Sequence, residues 1–328
     1  MMGVTSEARP AVDGPVGAPT VSVVICTNRP DGLAAAVESV LANDGPPFEL
    51  VIVAQGADVS WAHTAIASLR PAFQHDPRVR IVHDPRRGLS RARNVAIREA
   101  AGELILFTDD DCLVAHDWVA AHVACYQERP DLMLLYGLVV PPDWYTGAEG
   151  MVPTFDPASN RNMARHGRGI VFGMGANMSM RRSLFDRIGP FDEQLGVGAP
   201  LMSAEDLDVS MRSFAAGLDI RADERPVVVH AGGVRPLGPE SRRLWKRDGI
   251  GLGAAVVKAL RTGQLRAAFA PTSVLLEMWR ATLVKMARRQ RPYGLALTGM
   301  VTVGALDGFA RGLRQPLKRT GATYVFTE

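Results

Sequence analysis

Four short apolar runs separated by helical segments constrain this chain more than any other feature. Residues 21–26 (VSVVIC) form a continuous β-branched run, and 50–54, 79–83 (VRIVH) and 104–108 (LILFT) are further, mostly apolar runs. A strand that is apolar at consecutive positions needs cover on both faces, so these runs read as buried strands of a parallel sheet. Helical spacing fills the gaps. Residues 33–41 stop near Asn43-Asp44-Gly45-Pro46, and 61–69 follow the second strand. A third helix runs from Ser90, its expected N-cap, through Ala101 to a stop at Gly102. A fourth spans about 116–127. Strands alternating with helices predict an α/β fold with a mostly parallel, doubly wound sheet.

The pattern loosens after the strand expected at 135–140. Residues 141–168 are rich in Pro, Gly, Asn and Asp, as in a long loop of the kind that often forms a substrate lid. Short elements follow at 169–173, 182–188 (helix), 204–216 (helix) and 227–230 (strand). Beyond 234 the chain reads as basic helices with apolar faces, including 244–260 and 273–287.

Charge divides at the same place. Residues 1–235 carry 21 Lys+Arg against 29 Asp+Glu, a net −8, and 236–328 carry 16 against 5, a net +11. The reading is therefore a tail at 1–20, an α/β domain at 21–235 and a basic helical region at 236–328. The tail holds Glu7, Arg9 and Asp13 and no apolar core, so it is no secretory signal and is expected to be disordered. The longest uncharged stretch near the C-terminus, 292–306, has 15 residues, where a spanning helix needs roughly 20. Cys26, Cys112 and Cys125 show no zinc-type spacing and are expected as free thiols.

Several clusters can carry chemistry. Asp109-Asp110-Asp111 follows the fourth strand directly, and ligands of open parallel sheets bind outside the carboxyl ends of the strands. Three adjacent carboxylates repel one another, and a hard divalent cation with substrate phosphate would stabilise them. The same triplet also suits an acidic turn before a helix. Ser203-Ala204-Glu205-Asp206 has the form of a capping box, yet a carboxylate at a helix start beside a cleft is also placed to act as a general base. His230 ends a strand before Gly232-Gly233. Gly88-Leu-Ser-Arg91-Ala-Arg93-Asn94 opens the third helix with arginines suited to anionic groups. Gly173-Met-Gly175-Ala-Asn177 is a permissive stretch that allows close approach of a ligand. No Walker loop is present, and no G-x-G-x-x-G follows the first strand, which argues against an NAD-binding Rossmann domain.

Taken in order, VSVVICTNRP, ELVIVAQGAD, GLSRARNVAI, LILFTDDDC, GMGANMSMRRSLFDRIGPFDEQL, SAEDLDVSMR and VVVHAGG resemble a family 2 glycosyltransferase with the GT-A fold, over about residues 20–235. The resemblance implies a Rossmann-like nucleotide-diphospho-sugar transferase domain that uses Mg²⁺ or Mn²⁺. It implies inverting transfer of a hexosyl group from a UDP, dTDP or GDP sugar to a glycan, lipid-linked or small-molecule acceptor, as in polysaccharide biosynthesis. Thr27, Asn28, Arg29, Gln55, Arg93, Asn94 and Asp110 would line the nucleotide pocket. Asp109 and Asp111 match the Asp-x-Asp positions and are both expected metal ligands, with Asp111 the direct one and Asp109 nearer the ribose or donor sugar. Asn177 would sit beside that sugar, and His230 would approach the metal or diphosphate. Asp206 matches the catalytic base, with Glu205 supporting it or binding acceptor. One departure concerns the base: where the second strand commonly ends in Asp, this chain has Ala54, then Gln55 and Gly56. Gln55 can both accept and donate, and Asp58 is a substitute nearby.

Two rival functions fit the sequence less well. A sugar-phosphate nucleotidyltransferase would need a glycine-rich loop and a distal lysine, but ICTNRPDG lacks the loop and residues 1–245 contain no lysine. A non-catalytic nucleotide-sugar-binding scaffold would not need both the DDD and ED clusters. The C-terminal region either packs on the acidic domain or meets an anionic membrane through clusters such as Arg242-Arg243/Lys246-Arg247 and Arg288-Arg289/Arg291. Nucleic acid is not an expected partner, since few aromatics interleave with the basic residues. The expected location is cytoplasmic, with peripheral contact at the inner face of the cell membrane.

Overall fold

The computed structural model describes residues 5–6, 20–147, 150–158, 170–232, 234–235, 238–288 and 294–327. Four strands form the parallel heart of the sheet. These are β2 (Val21–Thr27), β3 (Phe48–Gln55), β4 (Val79–Asp84) and β5 (Leu104–Asp109), side by side as β4-β3-β2-β5. Alternate residues explain the continuous apolar pattern. Val21, Val23 and Ile25 face one core with helices α1 (Leu33–Leu41), α2 (Ser60–Ala67) and α4 (Trp118–Glu128). Val24, Val51 and Phe107 face the other, with α3 (Leu89–Glu99), α5 (Leu184–Ile188) and α6 (Glu205–Ala215). Both faces are covered, as a doubly wound sheet requires.

The sheet continues beyond the four predicted strands. On one edge β1 (Thr5–Ser6) pairs antiparallel with β4, which corrects the expectation of a disordered tail at those two residues; residues 1–4 and 7–19 lie outside the described residues. On the other side β8 (Met178–Arg181) runs antiparallel to β5 and to β7 (Leu132–Val140). Then come β9 (Asp219–Val229), parallel to β7, and β6 (Leu113–Val114), completing nine strands among the described residues. β9 is longer than the expected 227–230. Its first half, DIRADER, has no apolar alternation because Arg221, Glu224 and Arg225 stand in solvent.

The basic region forms α7 (Pro239–Arg261), α8 (Leu265–Ala287) and α9 (Leu295–Arg314), followed by a hairpin, β10 (Leu317–Thr320) and β11 (Thr323–Phe326). Helices α7 and α9 touch backbone to backbone: a Cβ at Gly304 would strike the Lys246 carbonyl, and one at Gly308 the Ile250 carbonyl. Helix α7 also shares apolar clusters with residues before 235, Ala255 with Met211 and Val257 with Leu195 and Leu201. Lys258 of α7 is 3% exposed and places its Nζ 2.6 Å from both Asp192 and Asp208. Asp208 also accepts from Arg212, and Asp192 from the Phe326 N–H. The change of charge near residue 235 is thus not a break in packing. The expected lid lies partly outside the described residues, at 148–149 and 159–169. Its described portions are tied down by the bridges Val139–Phe155 and Met151–Arg235.

Candidate active site

The topological switch of the sheet lies between β2 and β5, where successive crossovers turn in opposite directions. Ligand crevices form outside the carboxyl ends of strands at such points. Thr27 ends β2 and Asp109 ends β5. A cavity of about 390 Å³ opens there, lined by Thr27, Asn28, Arg29, Gln55, Asp109, Asp110, Asp111 and His230.

The three carboxylates have separate surroundings. Asp110 is buried; it accepts from Thr27 Oγ1 at 2.6 Å and from Arg29 Nη2 at 2.8 Å, tying the end of β2 to the end of β5. Gly32 allows this close packing: its φ is +83°, and a Cβ there would strike the Asp110 carbonyl. Asp110 is therefore a brace whose oxygens are already engaged, rather than the free nucleotide contact expected for it. Asp111 pairs with Arg29 at 2.9 Å and has His230 Nε2 at 3.9 Å. Asp109 lines the cavity with a partly exposed side chain and lies 3.9 Å from Arg93 Nη2 on its inner side. Burial pushes its carboxyl up to about 7; Arg93 opposes that shift, and Asp111 and Asp110 add to it.

The residues present fit a divalent cation. Ligand atoms of Asp111, Cys112 and His230 all lie within 4.8 Å of one another. Burial holds the His230 imidazole below its usual range, so it is neutral and able to ligate, and its buried Nδ1 has no hydrogen-bond partner among the described residues. Burial drives the Cys112 thiol far upward, so it stays protonated and a poor ligand. A hard cation would therefore be held by Asp111 and His230. Asp109, expected as a further ligand, is not part of that group. The His230 loop is fixed against the triplet by the Gly232 N–H, which donates to the Asp111 carbonyl at 3.0 Å.

A second cluster lies behind Asp109. Arg93 is buried, stacks near Phe107 and Phe191, and donates to Glu205 Oε1 at 3.0 Å. It is an internal link between Asp109 and Glu205 and does not line the cavity. Asp206 accepts from the Gly175 N–H at 3.1 Å and from the Leu207 N–H at 2.7 Å. Burial, then the Glu205 charge, push its carboxyl up to about 6, the range suited to a general base near neutral pH. The loop that delivers it is strained: Met202 and Ala204 have φ of +67° and +68°, conformations that cost roughly 1–3 kcal/mol each in non-glycine residues. Ser203 is not the expected cap. The N-cap is Ala204, and Ser203 Oγ lies 3.1 Å from the carbonyls of both Arg247 and Asp248, bracing the loop on α7.

Other expected contacts prove to be internal. Asn94 closes both sides of its amide on the Phe191 backbone. Asn177 accepts from Trp118 and His122 and donates to the carbonyls of Leu138 and Pro226. Neither lines the cavity. The glycines beside Asn177 make room for the protein itself rather than for a ligand: a Cβ at Gly173 would strike Tyr136, and one at Gly175 would strike Arg93. Ser90 does not cap α3 but donates to the Leu195 carbonyl; the N-cap is Gly88. Gln55 lines the cavity, yet it donates to the Arg86 carbonyl and accepts from the Gly88 N–H, so it chiefly positions the loop before α3. Asp58 is exposed and bonded to Ser60, away from the cavity.

Arg235, Leu244 and Arg247 also line the cavity; no motif marks them, since they fall where regular alternation has ended. Arg247 had been grouped with the membrane-facing basic residues; the fold turns it inward instead.

Comparison with known proteins decides the family. The sequence model described as Glycosyl transferase family 2 matches residues 22–189, just over half of the chain. The chain belongs to glycosyl transferase family 2. Among relatives of this family 2 chain is the glucosyl-dolichyl phosphate glucuronosyltransferase of Haloferax volcanii, 30% identical over 59% of this chain and 63% of the relative. The match thus spans less than two thirds of that relative's length. Glycosyltransferase AglE of the same organism is 24% identical over 93% of this chain and 87% of its own. Among solved structures, the mannosyltransferase PcManGT from Pyrobaculum calidifontis, in complex with GDP-Man and Mn²⁺, superposes with a TM-score of 0.63 at 20% identity. It covers 89% of this chain and 88% of that one. That similarity shows the fold, which is GT-A with a C-terminal helical region.

Proposed function

We propose that this family 2 member transfers a sugar from a nucleotide-diphosphate sugar to an acceptor hydroxyl, with inversion at the anomeric carbon. The observation that carries the reading is the pairing of an acidic cavity at the sheet switch with a raised-pKa carboxylate behind it. Mg²⁺ or Mn²⁺ on Asp111 and His230 would neutralise charge on the diphosphate. Thr27, Asn28 and Arg29 would border the nucleotide, with Asp109 toward the ribose or donor sugar. Asp206 would take the acceptor proton while Arg93 holds Glu205 and Asp109 in register. One displacement from the face opposite the leaving group inverts the configuration. Incubation with UDP, dTDP and GDP sugars and Mn²⁺, with NMR of the product anomer, tests this. Retention of configuration would reject Asp206 as base of a single displacement. Binding of a donor with no turnover toward water or acceptor would favour a scaffold, and formation of a nucleotide sugar from a sugar phosphate would favour a nucleotidyltransferase.

The acceptor we infer is lipid-linked, at an anionic membrane surface on the cytoplasmic side. The Haloferax relative is named for a dolichyl-phosphate substrate. Phe269, Leu276 and Leu306 of α8 and α9 are 62–69% exposed, and Arg266, Arg280, Lys285 and Arg288 are spread along α8 and its end. Arg289 and Arg291, expected in this cluster, lie outside the described residues. Among the described residues no helix is long and apolar enough to cross a membrane, so contact would be interfacial. Binding to phosphatidylcholine vesicles that contain phosphatidylglycerol, lost at high salt and weakened by Leu276→Ser with Leu306→Ser, is the expected result. No binding at low salt would reject it.

A further inference from the structure

The cavity combines two charges that sequence had assigned to different tasks. Its acids come from the end of β5, but part of its lining comes from the start of the basic region. Arg235 follows the His230 loop, and Leu244 and Arg247 project from the first turns of α7. The two arginines share one carboxylate, and loosely. Arg235 Nη1 is 3.6 Å from Asp248 and Arg247 Nη2 is 3.5 Å from it, both longer than ordinary charge-assisted bonds. Arg247 Nε is buried and has no hydrogen-bond partner among the described residues. Two guanidiniums facing one carboxylate leave a net positive charge beside an acidic, cation-suited corner. The backbone under both is held: Ser203 Oγ reaches the carbonyls of Arg247 and Asp248, a Cβ at Gly251 would strike Ser203, and Arg235 is bridged to Met151. The same contact ties this wall to the strained loop before Glu205-Asp206.

We propose that Arg235 and Arg247 form an anion cradle for the diphosphate of the donor, so that the basic region completes the catalytic cavity. The proposal rests on the nucleotide-sugar reading and deepens it. In the reaction the bond between the anomeric carbon and the diphosphate oxygen breaks, and its electron pair stays on that oxygen. The acceptor oxygen forms the new bond to carbon, and its proton passes to Asp206. Arg235 and Arg247 would meet the charge that appears on the departing diphosphate, a role for which planar guanidinium donors are suited. Leu244 would give this part of the cavity an apolar surface that strengthens those contacts.

Calorimetric titration of the full chain with inorganic pyrophosphate, and with UDP, dTDP and GDP, each in the presence of Mn²⁺, tests the cradle. Arg235→Gln and Arg247→Gln are each expected to weaken pyrophosphate binding about 10-fold, as for loss of one charged hydrogen-bond donor. The lysine replacements should lose less. Asp248→Asn, which releases both arginines, should bind at least as tightly as wild type. Pyrophosphate affinity unchanged in the double glutamine variant, with a lowered Tm in that variant and in Asp248→Asn alike, would show that the arginines only brace α7 and would overturn the proposal. A wild-type protein that binds neither pyrophosphate nor any of the nucleoside diphosphates would overturn the nucleotide-sugar reading itself and the cradle with it.

Discussion

Replacing Asp206 by Asn is expected to lower kcat by about 10²–10⁴-fold, the usual contribution of a positioned general base, while the protein stays folded. The prediction follows from where the carboxylate sits. Its oxygens accept from the Gly175 and Leu207 N–H groups, and an amide oxygen can replace one of those acceptors. Burial raises the folded pKa to about 6 from an ordinary 3.8, so the fold favours the protonated carboxyl. The stabilisation from this group is full below the unfolded value and is lost as pH rises through about 6. At neutral pH relief of the buried charge offsets the acceptor lost to the amide NH2, so the Asn variant should keep a Tm close to that of wild type. Activity has the opposite dependence, because the base must be deprotonated. In wild type kcat/KM should be level above pH 6 and fall about tenfold per unit below it. Thermal melts and pH profiles recorded side by side distinguish this from a structural role, in which activity and Tm would fall together.

Lys258→Ala is expected to destabilise the protein by about 3–5 kcal/mol, the range for removing one partner of a buried ion pair. Lys258 lies between Asp192 and Asp208, which are 1% exposed each. Without the ammonium, two carboxylates remain buried with Arg212 alone beside them. Arg212 is bonded to Asp208 and to the Ile188 carbonyl rather than to Asp192. Asp192 also anchors the C-terminal hairpin through the Phe326 N–H, so the loss should extend to that hairpin. Denaturant unfolding would measure it. Replacing Lys258 and Asp192 together by apolar residues of similar volume, with Asp208 left to Arg212, should recover part of the loss, since one unpaired buried carboxylate is then avoided. A Lys258→Ala variant as stable as wild type would contradict the reading of α7 as part of the catalytic domain.

The parallel half of the fold was legible because β2 to β5 are apolar on both faces and punctuated by helices. The other half was less so. β8 is short and alternates Met with Ser and Arg, and β9 begins with a solvated polar run. At the site, Asp111 stands at the end of a strand and Asp206 at the start of a helix, positions that apolar periodicity marks in the sequence, whereas the approach of His230 to Asp111 depends on the long-range pairing of β6 with β9. Asn94 and Asn177 bond to buried backbone instead of lining the cavity, since residue type does not show whether an amide faces a ligand or closes on buried backbone groups. Arg235 and Arg247 gave no sign, since only the long-range packing of α7 on the Ser203 loop turns them toward the cavity. The division of charge near residue 235 likewise marked a real change of composition, but Lys258 and the cavity arginines cross it.

The most direct test of the central claim is Mn²⁺-dependent release of nucleoside diphosphate from UDP, dTDP and GDP sugars, measured for wild type and for Asp111→Ala. The account predicts release from at least one donor by wild type and none above background by the variant, with the variant's Tm near that of wild type. Release undiminished in Asp111→Ala, or no release from any of the donors, would contradict it.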